Sequence, residues 1–514
     1  MPARPRRSRS ITLATLLLLG TGVSAVAGTS PPVVRLDSGP VAGSVEGASL
    51  VFKGIPYAAP PVGALRWRAP QPVAHWTATR AADRFGAICM QPSPKTAESE
   101  DCLFLNVFRP AGKARHLPVL FWIPGGGLVA GAGSEPVYDG KALAAKGVVV
   151  VTINYRVGRF GFFAHPQLSA ANADGGRLYN YGLMDETAAL QWVRRNIAAF
   201  GGDPAQVTIF GQSAGGASVD ALMIAPEARG LFAAAISESG YGRGSYPRIA
   251  TRSATGDAPA ESIGTTLAAR LGIPNASIDD LRAVAPERII ALFDSNEFHI
   301  FAVDGKTLTS DLWPAFARNE EAPVPFIIGS ASYEMGPMPA EDQRPWAEKV
   351  VPADRWSQLL PVYDSADQRD HLLLSDVLYT SQARALARGH AANGHPTYLY
   401  RFDVPSTYNN VLLPGALHAA ELPYVFGNLE ARRTEAAITA QDRRVSAEMM
   451  GYWTNFAARQ DPNGQGVDPW QRYDGHALLM IRPDAATMVR DPLEHRLGTI
   501  DSLAVDILPE TPQP

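Results

Sequence analysis

From about residue 117 onward, short apolar runs alternate with stretches whose apolar residues recur every three or four positions. Residues 119–123, 148–154, 207–210 and 231–237 are β-branched or aromatic runs of strand length. Between and after them, residues 141–146, 186–196 and 214–223 carry helical patterns. Strands separated by helices predict an α/β fold, with a mostly parallel sheet covered by helices on both faces. Residues 33–52 read as short β-rich segments, and 323–329 as a further buried strand ending in glycine. Residues 241–322 break the pattern: they are polar and loop-rich, with short helices near 259–271 and 278–284, and predict a cap that helps wall a pocket. Ala447, Met450, Trp453 and Ala457 recur at helical spacing and predict a packed C-terminal helix. No repeat and no dividing linker is present, so residues 28–514 read as one domain.

The run at 207–210 ends in Gly211-Gln212-Ser213-Ala214-Gly215, with a helical segment directly after it. A G-x-S-x-G between strand and helix holds its serine on a sharp, strained turn, and the glycines remove side chains where the two elements cross. The helix N-terminus then directs unpaired N–H groups at an oxyanion formed there. A nucleophilic serine needs further oxyanion donors, a base and an orienting acid. The N–H of Ala214 is one donor. The strand at 118–123 runs into Pro124-Gly125-Gly126-Gly127, whose backbone can approach a ligand without Cβ interference. No G-K-[ST] follows, so this is not a phosphate loop. Of ten histidines, His418 stands out, in a small-residue loop before an apolar segment. An acid between serine and histidine in chain order is expected. Glu334 follows the strand at 323–329, with Asp304 and Asp311 as competitors.

At this point the chain resembles the type-B carboxylesterase/lipase family of the α/β-hydrolase fold, from about residue 32 to about 508. The resemblance is carried by ordered blocks: Phe52-Lys53-Gly54-Ile55-Pro56-Tyr57-Ala58, Gly63-Ala64-Leu65-Arg66-Trp67 and Ser99-Glu100-Asp101-Cys102-Leu103-Phe104-Leu105-Asn106-Val107 come first. Asn154-Tyr155-Arg156, Asn180-Tyr181-Gly182-Leu183-Met184-Asp185 and Phe200-Gly201-Gly202-Asp203-Pro204 come after them. It implies Ser213, Glu334 and His418 as catalytic triad, and Gly126, Gly127 and Ala214 as oxyanion hole. It also implies a cap and gorge built from insertions. Three positions depart from the family pattern. Gln212 stands where glutamate is usual, its side chain expected to point away from substrate; Met335 replaces a glycine, and Pro124 a histidine or tyrosine.

The reading is therefore a serine carboxylesterase that hydrolyses a neutral ester through an acyl-enzyme. Acyl transfer from the same intermediate is one alternative. A non-catalytic adhesion module is the other, although such relatives typically lose the serine. Leu128, Tyr241, Phe298, Phe301, Trp313 and Met338 are candidate pocket or rim residues, with cap core as the competing reading.

Composition adds compartment and partners. Arg4, Arg6, Arg7 and Arg9 precede an apolar run at 11–19 and Ala25-Val26-Ala27, a pattern that predicts a signal peptide over residues 1–27 and export to periplasm or medium. Without its four arginines, 46 basic residues become 42 against 50 acidic, a net charge of −8. That balance gives no reason to expect nucleic acid or an anionic membrane as partner. No other stretch is apolar enough to span a bilayer, and a monomer is the expected state. The two cysteines, Cys89 and Cys102, are thirteen residues apart and predict one disulfide closing a short surface loop; the family resemblance places such a loop at the gorge rim. With two cysteines and no H-E-x-x-H, no metal site and no cofactor are expected.

Overall fold

The structure, a computed structural model, describes Met1 and residues 31–504, except 93–95, 243–244, 254–255, 257, 294–299 and 349. Residues 1–31 and 32–514 form separate units, and the sheet and its helices belong to the second. The expected signal peptide and Phe298 lie outside the described residues.

The main sheet has eleven strands among the described residues. In chain order they are β1 (Ser44–Glu46), β2 (Ser49–Pro56), β3 (Phe104–Pro110), β4 (Leu117–Ile123), β5 (Val149–Ile153), β6 (Gly202–Gln212), β7 (Ala234–Glu238), β8 (Phe326–Ala331), β9 (Thr397–Phe402), β10 (Ala477–Ile481) and β11 (Ala486–Arg490). They lie in the order β11-β10-β9-β8-β7-β6-β4-β5-β3-β2-β1. The run from β5 to β10 is parallel throughout. Antiparallel strands close both sides, β3, β2 and β1 at one edge and β11 at the other.

The central strands are apolar on both faces because helices cover both faces. Alternate residues divide between two cores. Val119, Phe121, Ile123, Val151, Val207 and Ile209 face the larger one, while Leu120, Trp122, Val150, Phe210 and Ile236 face the other. Helices α1 (Tyr181–Asn196) and α2 (Ala214–Ile224) close the first core through Leu190, Val193, Ala217 and Val219. Each such fully buried Val or Leu contributes about 1.5–3 kcal/mol.

Residues 241–322 lie between β7 and β8. Helices α3 (Glu261–Arg270), α4 (Ile278–Arg282) and α5 (Pro286–Ile290) bring Leu267, Leu281 and Ile289 onto Trp67, Phe163 and Tyr181. Helix α6 (Leu312–Ala317) packs into the main core through Leu312, Ala315 and Phe316.

Helices α7 (Ser381–Ala392) and α8 (Ala440–Arg459) complete the scaffold. Of the face expected for α8, Trp453 and Ala457 are buried in the second core and Met450 packs half-buried against it, while Ala447 is exposed. The buried stripe is Val445, Met449, Tyr452, Trp453 and Phe456, which fills the second core. Large side chains set the phase of a helix, and alanines tolerate either side.

Candidate active site

Strand β5 lies on one side of β4 and β6 on the other, so the chain reverses its direction of build across the sheet at β4. Open α/β sheets bind ligands at the carboxyl ends of strands at such a switch point. Ser213 follows β6 there, and the glycine loop follows β4. Ser213 adopts φ 58°, ψ −123°, a conformation costly for a non-glycine residue. It is held by Ser213 N–H donating to Glu238 O (2.8 Å) and Ala217 N–H donating to Ser213 O (2.8 Å). A Cβ on Gly211 would sit 2.4 Å from Gly215 O, and one on Gly215 2.0 Å from Ile123 O. Only glycines permit this crossing of strand, turn and helix.

The glycine loop presses against the same turn. A Cβ on Gly125 would lie 2.5 Å from Gln212 O and 3.2 Å from Ser213 Cβ. Gly126 and Gly127 have φ of +121° and +65°. Their N–H groups donate to no acceptor among the described residues, and Ala214 N–H, at the start of α2, is unpaired by helix geometry. The loop is braced from behind: Tyr155 Oη donates to Pro124 O (3.0 Å), and Gly131 N–H donates to Gln91 Oε1 (2.9 Å). Gln91 lies just past Cys89, which is joined to Cys102. Both cysteines are buried at 1% exposure, so the disulfide that closes this loop anchors its base in the core.

His418 meets Glu334 as expected from the sequence. His418 Nδ1 and Glu334 Oε2 are 2.5 Å apart, and His418 N–H donates to Glu334 O (3.0 Å). The other carboxylate oxygen, Oε1, accepts from Ser239 Oγ (2.6 Å) and Ala331 N–H (2.7 Å). Burial pushes the His418 imidazole down, but the charge and hydrogen bond of Glu334 outweigh it and leave the group above its usual range. Asp304 instead caps a turn through the N–H groups of Lys306, Thr307 and Leu308. Asp311 pairs with Arg248 at 2.7 Å.

The Nε2 edge of His418 holds a correction. The Gln212 amide nitrogen lies 3.3 Å from it, so this side chain reaches the imidazole rather than pointing away from the site. No hydrogen bond joins Ser213 Oγ to the imidazole among the described residues. With Nδ1–H turned to Glu334, Nε2 presents a lone pair and the Gln212 amide donates to it.

Sequence reasoning also missed what lies behind the imidazole. Glu421 is buried, and burial together with the Glu334 charge pushes it up to about 7. Glu238, whose Oε1 accepts from Trp453 Nε1 (2.8 Å), is raised still further by burial and by Glu421. Glu421 follows His418 by three residues, but no periodicity marks a buried acid in a turn. The Tyr379 ring packs 4.8 Å from the His418 ring.

Of the candidate pocket residues, Leu128 and Phe301 have no exposed surface (0%). Leu128 O accepts from Gly158 N–H (2.6 Å), and Phe301 packs on Phe162 and Tyr246 at ring separations of 5.8 and 6.1 Å. Both are core, because an apolar residue type alone does not separate pocket from interior. Tyr241 is buried but packs edge-on to Tyr379 (6.3 Å), one ring away from His418. Trp313 is half-buried on α6, and Met338 packs against a peripheral cluster around Trp356 and Leu373. A cavity of about 760 Å³ opens beside His418, lined by Ser406, Leu417, Ala420, Arg432 and Arg433 among others; none of the candidate residues lines it.

Comparison with known proteins fits this geometry. The sequence pattern of the Carboxylesterase family matches residues 30–349 and 363–497. The chain is 38% identical over 504 residues to the para-nitrobenzyl esterase of Bacillus subtilis (strain 168), covering 90% of this chain and 96% of that protein. It is 34% identical to the fumonisin B1 esterase of Sphingopyxis macrogoltabida, covering 91% and 89%. A solved PNB esterase superposes with a TM-score of 0.80 at 34% identity, over 92% of this chain and 99% of the other. A thermophilic PNB esterase gives 0.81 at the same identity, over 92% and 100%. The chain belongs to the carboxylesterase family: it has the α/β-hydrolase fold and is a carboxylic ester hydrolase.

Proposed function

We propose that the protein is an exported serine carboxylesterase in which Ser213 is the nucleophile, His418 the general base and Glu334 the acid that orients it. The observation that carries this reading is the 2.5 Å contact between Glu334 and His418 Nδ1. It turns the Nε2 lone pair toward the end of β6 where the strained serine sits. In the reaction Ser213 Oγ attacks the ester carbonyl and its proton passes to His418 Nε2. The N–H groups of Gly126, Gly127 and Ala214 stabilise the oxyanion, each supplying about 3 kcal/mol. The imidazolium returns the proton to the departing alkoxide, leaving an acyl-serine. Water then attacks the acyl carbon, loses its proton to Nε2, and Ser213 is regenerated as the acid leaves.

This proton relay requires Nε2 to exchange its Gln212 partner for Ser213 Oγ during turnover. Tyr379, packed on the His418 ring, and Tyr241 behind it carry no charge, since burial raises both phenols further above neutrality. The substrate class we infer is a neutral carboxylic ester of a small molecule. Among the described residues no helix is long and apolar enough to cross a membrane.

The test uses an acyl-trapping organophosphate, p-nitrophenyl acetate and p-nitrophenyl butyrate. Hydrolysis of the esters and stoichiometric label on the peptide containing Ser213 are expected. Label on another residue of the active protein would overturn the assignment.

A further inference from the structure

At the opposite end of the sheet from Ser213, three side chains from separate segments converge. Glu321 lies between α6 and β8, His390 near the end of α7, and His395 in the turn before β9. Their ligand atoms all lie within 4.8 Å of one another. The six residues of β8, about 20 Å of strand, separate this cluster from Glu334. We propose that Glu321, His390 and His395 bind a zinc ion that clamps α6, α7 and β9 together at the base of the sheet.

The hydrogen-bond pattern is that of a metal centre with its supports in place. His390 Nε2 lies 2.8 Å from Val324 O. A carbonyl only accepts, so Nε2 carries the hydrogen and Nδ1 is the ligand nitrogen. Metal-binding histidines characteristically donate the other ring N–H to a carbonyl or carboxylate in this way. Nδ1 faces Glu321 Oε1 at 2.9 Å, a spacing that two bonds of about 2.0–2.1 Å to one zinc would span. Asn393 Nδ2 donates to the same oxygen at 2.9 Å and orients the carboxylate. The second oxygen, Glu321 Oε2, is buried with no partner among the described residues, a costly state that a cation relieves. His395 Nε2 is 3.9 Å from Oε1 and needs to close by about 0.5–1 Å to supply the third of four tetrahedral positions, the fourth being left to water.

The set's composition selects the metal. Two imidazoles and one carboxylate suit zinc over magnesium or calcium. Without metal, a hydrogen shared between His390 Nδ1 and Glu321 Oε1 joins the two side chains, both at 0% exposure. Zinc would displace that proton as it binds. His395 is the accessible edge, with 16% of its side chain exposed; its Nε2 donates to Asn319 Oδ1 (3.0 Å), a hydrogen bond that zinc must replace as it binds. No short motif marks this site, because its ligands come from two positions five residues apart and a third about seventy residues earlier.

The experiment uses tag-free full-length protein, stripped with a chelator and titrated with zinc chloride against a chromophoric competitor. One bound zinc per chain and a raised melting temperature are expected, with p-nitrophenyl butyrate turnover at room temperature unchanged. His395→Asn leaves the buried His390–Glu321 pair in place and so keeps the fold. It is expected to lower zinc affinity more than tenfold and to abolish the thermal shift. Asn393→Ala is expected to weaken binding by about tenfold. Absence of saturable binding by the unsubstituted protein would overturn the proposal. So would an H395N protein that still takes up one zinc with the same affinity and shift.

Discussion

His418 stands between two side chains that control it in different ways. Glu334 touches Nδ1 and raises the imidazole above its usual range; Gln212 touches Nε2 with a neutral amide. As a base, His418 acts only when neutral, so activity falls as pH drops through its raised pKa. Glu334→Gln removes the charge responsible. It is expected to lower kcat/KM by about three to four orders of magnitude and to move the acid limb of the pH–rate profile to lower pH. An unchanged limb at near-normal turnover would hand the role to another acid. Gln212→Glu has the opposite sign: a second carboxylate within 3.3 Å of the ring stabilises the imidazolium. The acid limb is expected to move to higher pH, with plateau turnover changed by less than about tenfold. A limb that stays in place or moves down would show that Gln212 does not face the imidazole during turnover.

At the level of elements, the loop from Gly125 to Gly131 is the part whose shape catalysis depends on. Gly126 holds φ +121°, and a Cβ there would lie 2.2 Å from Ala130 O. Gly126→Ala therefore displaces the loop from Ser213. It is expected to cost about 10²–10³-fold in kcat, while far-UV circular dichroism and the melting temperature change little. Loss of fold instead would mean that the loop supports the core. Elements of this kind were readable in the sequence where the signal is local. Strand β6, the serine turn and helix α2 are contiguous, so Gly211, Ser213 and Gly215 announce one another. The same holds for β4 and the glycines after it. What depends on chain distance was not readable. Gln212 reaches a histidine 206 positions away, and its neighbourhood existed only once His418 had docked. On α8 only Ala447 turned outward, because an alanine carries too little apolar surface to fix its side of a helix, and Leu128 and Phe301 were open between pocket and core because hydrophobicity is common to both. Strands β9, β10 and β11 were missed for a related reason: runs of five or six residues become strands through the edge they join.

Across the whole molecule, buried acids give stability an unusual dependence on pH. Asp220, on α2 seven residues after the nucleophile, is fully buried, and that burial raises it to about 8. Glu421 is raised to about 7 by burial and by Glu334. An unfolded carboxyl gives up its proton near pH 4, so between there and pH 7–8 the native chain binds more protons than the unfolded one. A raised folded pKa contributes stability that is fully present below the unfolded value and lost as pH rises through the folded value. The melting temperature is therefore expected to fall from pH 6 to pH 9 through these two groups, on top of whatever other groups contribute. Asp220→Asn keeps the size and polarity of the side chain and removes its titration. The difference in melting temperature between variant and parent isolates this one group: it is expected to shift in favour of the variant as pH climbs from 6 to 8, and to level off above 9. Parallel curves across that range would mean that Asp220 is ionised in the folded chain, with a cation or ordered water compensating its charge behind the nucleophile helix.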